Sequence, residues 1–140
     1  MQTFLPYESF NQSAAVLDNR RLGKQRVEAK QIYLALTNPS YGWQAHPAVN
    51  MWRGHADSLL TYAIAVCWEW RNRGFEDSLL PWFNQRVKPV PSGHPAWLGD
   101  DRVHRSHQSN LLRKNPGYYQ KYFIDVSPDL PYFWPVGINN

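Results

Sequence analysis

The chain has 140 residues, 43% hydrophobic and 19% charged, which is enough apolar material for one core and excludes a chain kept disordered by charge. Fifteen Lys and Arg against eleven Asp and Glu leave a net charge of +4, a balance that favours polyanionic partners such as nucleic acid. The single cysteine, Cys67, excludes an intramolecular disulfide framework and any Cys-based zinc site.

In chain order, residues 1–12 are aromatic and interrupted by Pro6, and read as an extended arm. Asn11 or Ser13 supplies an N-cap for a helix running to about Leu36, because their side chains satisfy orphan N–H groups. The turn formers Thr37-Asn-Pro-Ser-Tyr-Gly42 end it. A second helix is predicted from Pro47, where proline suits the first turn. Val49, Trp52, Ala56, Leu59, Leu60, Ala63, Val66, Cys67 and Trp70 recur in steps of three and four, so this is the central core helix. It closes in Arg71-Asn-Arg-Gly74, with cations in the last turn and a glycine just beyond.

A shorter helix is expected over Asp77 to Gln85, then a loop over Lys88 to Pro95, whose prolines forbid regular structure. A polar helix follows from Leu98 to Lys114, then a short aromatic stretch to Phe123 and a Pro-rich tail against the body. No convincing alternating strand occurs. No basic region leads into an apolar run near Met1, and no apolar window of about 18 residues exists. The expectation is a soluble cytoplasmic single domain, residues 1–140, with an all-α fold: a helical bundle with an extended N-terminal arm and a Pro-rich tail.

Three constellations can carry chemistry. In the first helix, Arg20, Arg21, Lys24 and Arg26 put four basic residues into seven positions. Arg21, Lys24 and Glu28 share a face there and form a cationic cluster around a carboxylate. The same spacing also fits a solvated face laced with ion pairs. Gly23 costs a helix interior about 1 kcal/mol relative to Ala, which points to a close approach by another group. The second constellation sets His46 at a helix start with Trp43, Trp52, Arg53 and His55 near it. It reads either as a cap or as a phosphate-binding or proton-moving histidine beside a Trp that stacks on a base. The third is the polar helix, with His104, Arg105, His107, Asn110 and Lys114. Its histidine pair lacks a third ligand at metal-binding spacing, so its donors are assigned to phosphate and sugar oxygens. Cys67, on the apolar stripe, is core filler. A Gly-rich phosphate loop, a nucleophile elbow and a paired-carboxylate signature are all missing, so no cofactor is expected.

Leu17-Asp-Asn-Arg-Arg-Leu-Gly-Lys-Gln-Arg-Val-Glu28, Gly42-Trp-Gln-Ala-His-Pro47, and Trp52-Arg-Gly-His55 leading to Glu69-Trp-Arg-Asn-Arg-Gly-Phe75 together resemble the pyrimidine-dimer DNA glycosylase (endonuclease V-like) superfamily, over roughly residues 1–75. The resemblance implies a compact all-α domain that binds duplex DNA and flips a nucleotide out. It further implies cleavage of the glycosidic bond by an amine nucleophile with a glutamate's help, followed by a nick at the abasic site. In such relatives the amine is the α-amine of a small residue exposed by Met removal. Here position 2 is Gln, before which Met is usually retained.

Residue by residue, the expectation is Glu28 as catalytic carboxylate, with Asp18 as its competitor. Lys24 is the amine or a phosphate clamp, and His46 orients a phosphate or leaving group. Arg20, Arg21, Arg26, Trp43, Arg53, His55, His104, Arg105, His107, Asn110 and Lys114 contact double-stranded DNA. The alternatives are a non-catalytic nucleic-acid-binding module of the same fold and a metal hydrolase using His46, His104 and His107.

Overall fold

The computed structural model describes residues 1–89 and 93–136. Its regular structure is helical throughout, with no strand among the described residues: α1 (Phe10–Val16), α2 (Asn19–Thr37), α3 (Pro47–Asn50), α4 (Ala56–Asn72), α5 (Leu80–Asn84), α6 (Asp101–Lys114) and α7 (Pro116–Tyr119). None is long and apolar enough to cross a membrane. Residues 90–92 of the expected Pro-rich loop and 137–140 of the tail lie outside the described residues.

The expected first helix is two helices. Ser9 caps α1 by accepting the Gln12 N–H at 3.1 Å, a role assigned above to Asn11 or Ser13. Ser13 is instead buried inside α1, where its hydroxyl bonds Tyr7 N and Tyr7 O. The chain then goes extended at Leu17 and Asp18 before α2 begins. Asp18 holds that corner: Tyr119 donates to its carboxylate and accepts its N–H, and Arg21 pairs with it at 3.2 Å. With its carboxylate so occupied, Asp18 makes no side-chain cap to α2.

The helix expected from Pro47 is also interrupted. Gly54 adopts φ +82°, a left-handed backbone that stops α3 and redirects the chain into α4. The apolar stripe survives the break, since Val49 and Trp52 before it are as buried as Leu59, Ala63 and Val66 after it. Ala56 and Trp70, at the ends of α4, are only half-buried. As expected, α4 is central: it packs on α1, α2 and α5 and closes at Gly74, φ +91°. The shorter helices are trimmed by their caps. Asp77 accepts the N–H groups of Leu79 and Leu80 at the start of α5, and Asp100, two residues after Leu98, caps α6.

Trp52 anchors the main core. It is fully buried, T-shaped against Trp97 at 5.0 Å and tilted on Phe10 and Tyr62, and its Nε1–H donates to Thr3 Oγ1 at 3.1 Å. A smaller cluster of Ala29, Leu60, Ala63, Cys67, Leu80 and Phe83 joins α2, α4 and α5. Burial pushes the Cys67 thiol up to about 12, as its role as core filler requires. The tail packs Tyr132, Phe133 and Trp134 on the main core. Gly23 meets the Trp70 ring, and a Cβ there would lie 2.8 Å from Trp70 Cη2.

Trp52→Ala is expected to cost about 3–5 kcal/mol in urea unfolding, as a large buried truncation. Gly23→Ala should also destabilise, although Ala favours a helix interior by about 1 kcal/mol. A gain in stability there would show that Trp70 swings aside freely.

Candidate active site

The buried arm of residues 2–6 has no strand beside it, so helix side chains must satisfy its backbone groups. From α2, Gln25 accepts the Phe4 N–H at 2.8 Å and donates to Gln2 O at 2.9 Å. From α4, the Tyr62 hydroxyl donates to Phe4 O at 2.9 Å and also lies 2.6 Å from Gln25 Oε1. From α6, His107 Nδ1 accepts the Leu5 N–H at 2.9 Å, His104 Nδ1 meets Leu5 O at 2.8 Å and Gln108 donates to Pro6 O at 2.7 Å. Each bond fixes one atom of the arm in register with one helix.

The arm delivers its first residues to Glu28. The backbone N–H of Gln2 donates to Glu28 Oε2 at 3.0 Å, and Lys24 Nζ approaches Oε1 at 3.6 Å. Glu28 is largely buried, whereas the Lys24 side chain is 72% exposed. Between arm and helix lies a cavity of about 360 Å³, lined by Met1, Gln2, Phe4 and Gln25, by Arg20, Arg21, Lys24 and Lys114, and by Glu28 and Tyr132. Four cations thus surround one carboxylate in a site able to hold a small ligand, and they favour an anionic one.

His46 stands near this wall. Its Nδ1 accepts the Ala48 N–H at 3.0 Å and so caps α3, which leaves the proton of the neutral ring on Nε2. Burial lowers its pKa, the positive charge of the Met1 amine lowers it further, and Glu28 opposes both. The ring lies edge-on to Trp43 at 5.8 Å and to Trp134 at 6.3 Å. Trp43 is half exposed, with φ +69°, a conformation that bulky residues seldom hold without tertiary support.

The sequence pattern of a family described as pyrimidine dimer DNA glycosylase matches residues 1–80, the stretch that supplies the arm, α2 and His46. The chain belongs to that family. No curated protein and no solved structure matches it. Lys114 and Tyr132, which complete the cavity, lie beyond the stretch that the pyrimidine dimer DNA glycosylase pattern covers.

Of the residues singled out from the sequence, the structure gathers Glu28, Lys24, Arg20, Arg21 and Lys114 at the cavity; His46 is not in its wall but feels the charges of Glu28 and the Met1 amine. Asp18 is absent from its wall. Arg26 points elsewhere: it pairs with the fully buried Asp77 carboxylate and lies over the Trp70 ring at 4.7 Å. Burial raises the Asp77 pKa, but the Arg26 bond and two backbone N–H donors outweigh it and hold the acid below the usual carboxylate range. Arg53 is tied to Gln44 O and Asn50 Oδ1, bracing the loop around His46. His55 lies 3.4 Å from Gly93 O, and Arg105 reaches Asp125 O.

The polar helix is read differently by the structure. His104, His107 and Asn110 are buried, not presented to a DNA backbone. His104 uses both ring nitrogens, meeting Leu5 O and accepting the Gly99 N–H, and Asn110 donates to Ser106 O. The histidine pair holds the arm because their one-turn spacing matches successive polar atoms of a single extended residue, Leu5. Among the described residues no group of three or more His, Cys, Asp or Glu is placed to hold a metal ion. Sequence reasoning missed Gln25, Tyr62 and Tyr132. A glutamine in the middle of a packed helix face was the one available signal.

Burial, with the neighbouring His104 acting in the same direction, lowers His107 to about 3. The unfolded chain protonates this ring near pH 6.5 and the folded chain does not, so its stability is complete above that pH and is lost as pH falls. The slope is about 1.4 kcal/mol per pH unit between 6.5 and 3. Stability from chemical denaturation should therefore drop between pH 7 and 5, with His46 adding the same sign. His107→Asn, which keeps an acceptor but cannot titrate, should remove one proton's worth of that slope. An unchanged slope would mean that native His107 protonates freely.

Proposed function

We propose that the protein is a base-excision enzyme, a DNA glycosylase with abasic-site lyase activity, acting on damaged pyrimidines in double-stranded DNA. The observation that carries this reading is Glu28: a buried carboxylate in the wall of a cationic cavity, 3.0 Å from the backbone nitrogen of residue 2. In this reading residues 1–140 act as one unit, since α6 and the tail supply Lys114 and Tyr132 to the same cavity.

The flanking phosphates of an extruded nucleotide lie on Arg20, Arg21 and Lys24 on α2 and on Lys114 across the cavity. Trp43 stacks on an unpaired base, and His46, with its Nε2–H, orients a phosphate or the departing base. An amine of the wall, the terminal α-amine or Lys24, attacks C1′. The glycosidic C–N bond breaks, and the base leaves with the bonding electrons and takes a proton. The sugar ring then opens: the C1′–O4′ bond breaks as the nitrogen lone pair forms the iminium, and O4′ takes the proton that the attacking amine gave up. The iminium acidifies the C2′ proton, whose removal expels the 3′ phosphate. Glu28 stabilises the cationic sugar as the bond breaks and then shuttles the proton. Lys24 is exposed and already paired with Glu28, whereas the arm is held rigidly against the same carboxylate, which favours the terminal amine.

Glu28→Gln preserves shape and the bond to Gln2 N but removes the charge. It should keep DNA affinity while slowing base release from a thymine-dimer duplex by a hundredfold or more, on the order of 3 kcal/mol. Borohydride should trap a covalent enzyme–DNA adduct in the wild type. Trapping that survives Lys24→Ala and disappears when the α-amine is blocked assigns the nucleophile to the terminus. Wild-type activity in Glu28→Gln would sink the assignment.

A further inference from the structure

Asp18 carries a carboxylate that the proposed chemistry does not use. It is the N-cap residue of α2, where an aspartate ordinarily accepts a backbone N–H of the first turn, yet it makes no such bond. Its oxygens are engaged elsewhere. Both lie 3.2 Å from Arg21 Nη1. One of them also accepts the Tyr119 O–H, and the same phenol oxygen accepts the Asp18 N–H at 2.9 Å. Tyr119, the last residue of α7, is fully buried. Its ring is stacked on Phe123 at 5.7 Å and lies edge-on to Tyr118 at 4.8 Å, so it is held on two sides. Burial, helped by the bonded Asp18, raises its pKa far above the ordinary phenol value, which keeps it a donor.

Asp18 does not line the cavity, whereas Arg21 does. An unsupported arginine in a cavity wall samples many rotamers. A carboxylate that grips one of its nitrogens removes most of them before a ligand arrives. The grip uses Nη1 alone, so Nε and Nη2 of the same planar fork are not engaged by Asp18. We propose that Tyr119 and Asp18 are positioning residues: the buried phenol fixes the carboxylate, and the carboxylate aims the Arg21 guanidinium at a phosphate of the bound strand. The proposal rests on the glycosylase reading and deepens it by naming what sets one phosphate contact of that site. It also gives the chain beyond the family pattern, which ends at residue 80, a part in binding. From 101 residues away, α7 reaches back to set a side chain of α2.

Charge alone and positioning give opposite signs for one substitution. Asp18→Asn removes an anion beside a DNA-binding cavity, which by charge alone tightens binding. It keeps an acceptor for Tyr119 but loses the grip on Arg21, which weakens binding. Tyr119→Phe keeps the ring and deletes only the hydroxyl. Fluorescence anisotropy with the full chain measures affinity for a duplex carrying a tetrahydrofuran abasic analogue and for the same duplex undamaged, and thermal melting checks folding. On the abasic duplex Arg21→Ala should lose about tenfold, and Asp18→Asn and Tyr119→Phe about fivefold each. In the Arg21→Ala background neither should weaken binding further, because no guanidinium is left to aim. Tighter or unchanged binding by either variant overturns the proposal. So does a loss as large without Arg21 as with it, the mark of a merely structural tie. Should Tyr119→Phe fail to fold, Asp18→Asn, alone and with Arg21→Ala, decides. Wild-type affinity in Arg21→Ala overturns the positioning role and leaves the glycosylase reading standing. A wild type that does not prefer the abasic duplex overturns both.

Discussion

A buried extended segment without a strand beside it is the constraint on which this structure depends. Residues 2–6 carry backbone N–H and C=O groups into the interior, where leaving them unpaired is costly. A sheet would satisfy them with another backbone, whatever its side chains. Here Glu28, Gln25, Tyr62, His107, His104 and Gln108 do so one atom at a time. Such pairing is specific: shifting the arm by one residue would break nearly all of these bonds. The reward is placement, since residue 2 is held against Glu28 by three different helices.

That arrangement explains how α2 serves two purposes. Arg21, Lys24, Gln25 and Glu28 turn toward the arm and the cavity. Gly23 and Arg26 turn toward α4 and the chain after it, where the glycine admits the Trp70 ring and Arg26 neutralises Asp77. The charge of Arg26 is therefore spent inside the fold. The cavity keeps its positive field from Arg20, Arg21, Lys24 and Lys114, set against a single buried carboxylate. A developing sugar cation is drawn to such a carboxylate, while phosphates bind around it.

The histidines show where reading side chains by type reaches its limit. A one-turn pair flanked by Arg, Ser and Asn has the composition of a phosphate grip, and nothing in that composition distinguishes a buried face from a solvated one. In the fold the pair faces inward and reads the N–H and C=O of Leu5. His46 is closer to its expectation: it caps a helix and feels the charges of Glu28 and the chain's amine. The cap is the observed role, and because it uses Nδ1 it leaves Nε2 available for the role proposed above.

The helical class, the central apolar stripe from Val49 to Trp70, the stop at Gly74 and the cluster of Arg21, Lys24 and Glu28 were legible in the sequence, because helical periodicity and caps are local properties written within a few turns. The breaks at Asp18 and Gly54 were not, since the first depends on Tyr119, a hundred residues away, capturing the aspartate. Nor could spacing show that Arg26 leaves the cationic face for Asp77, or that Tyr132 closes the cavity. Those outcomes depend on which distant groups compete for the same charge or hydrogen bond. That competition is decided only when the arm, α2 and α6 are brought together, since a buried polar atom must take whatever partner the packing places within reach.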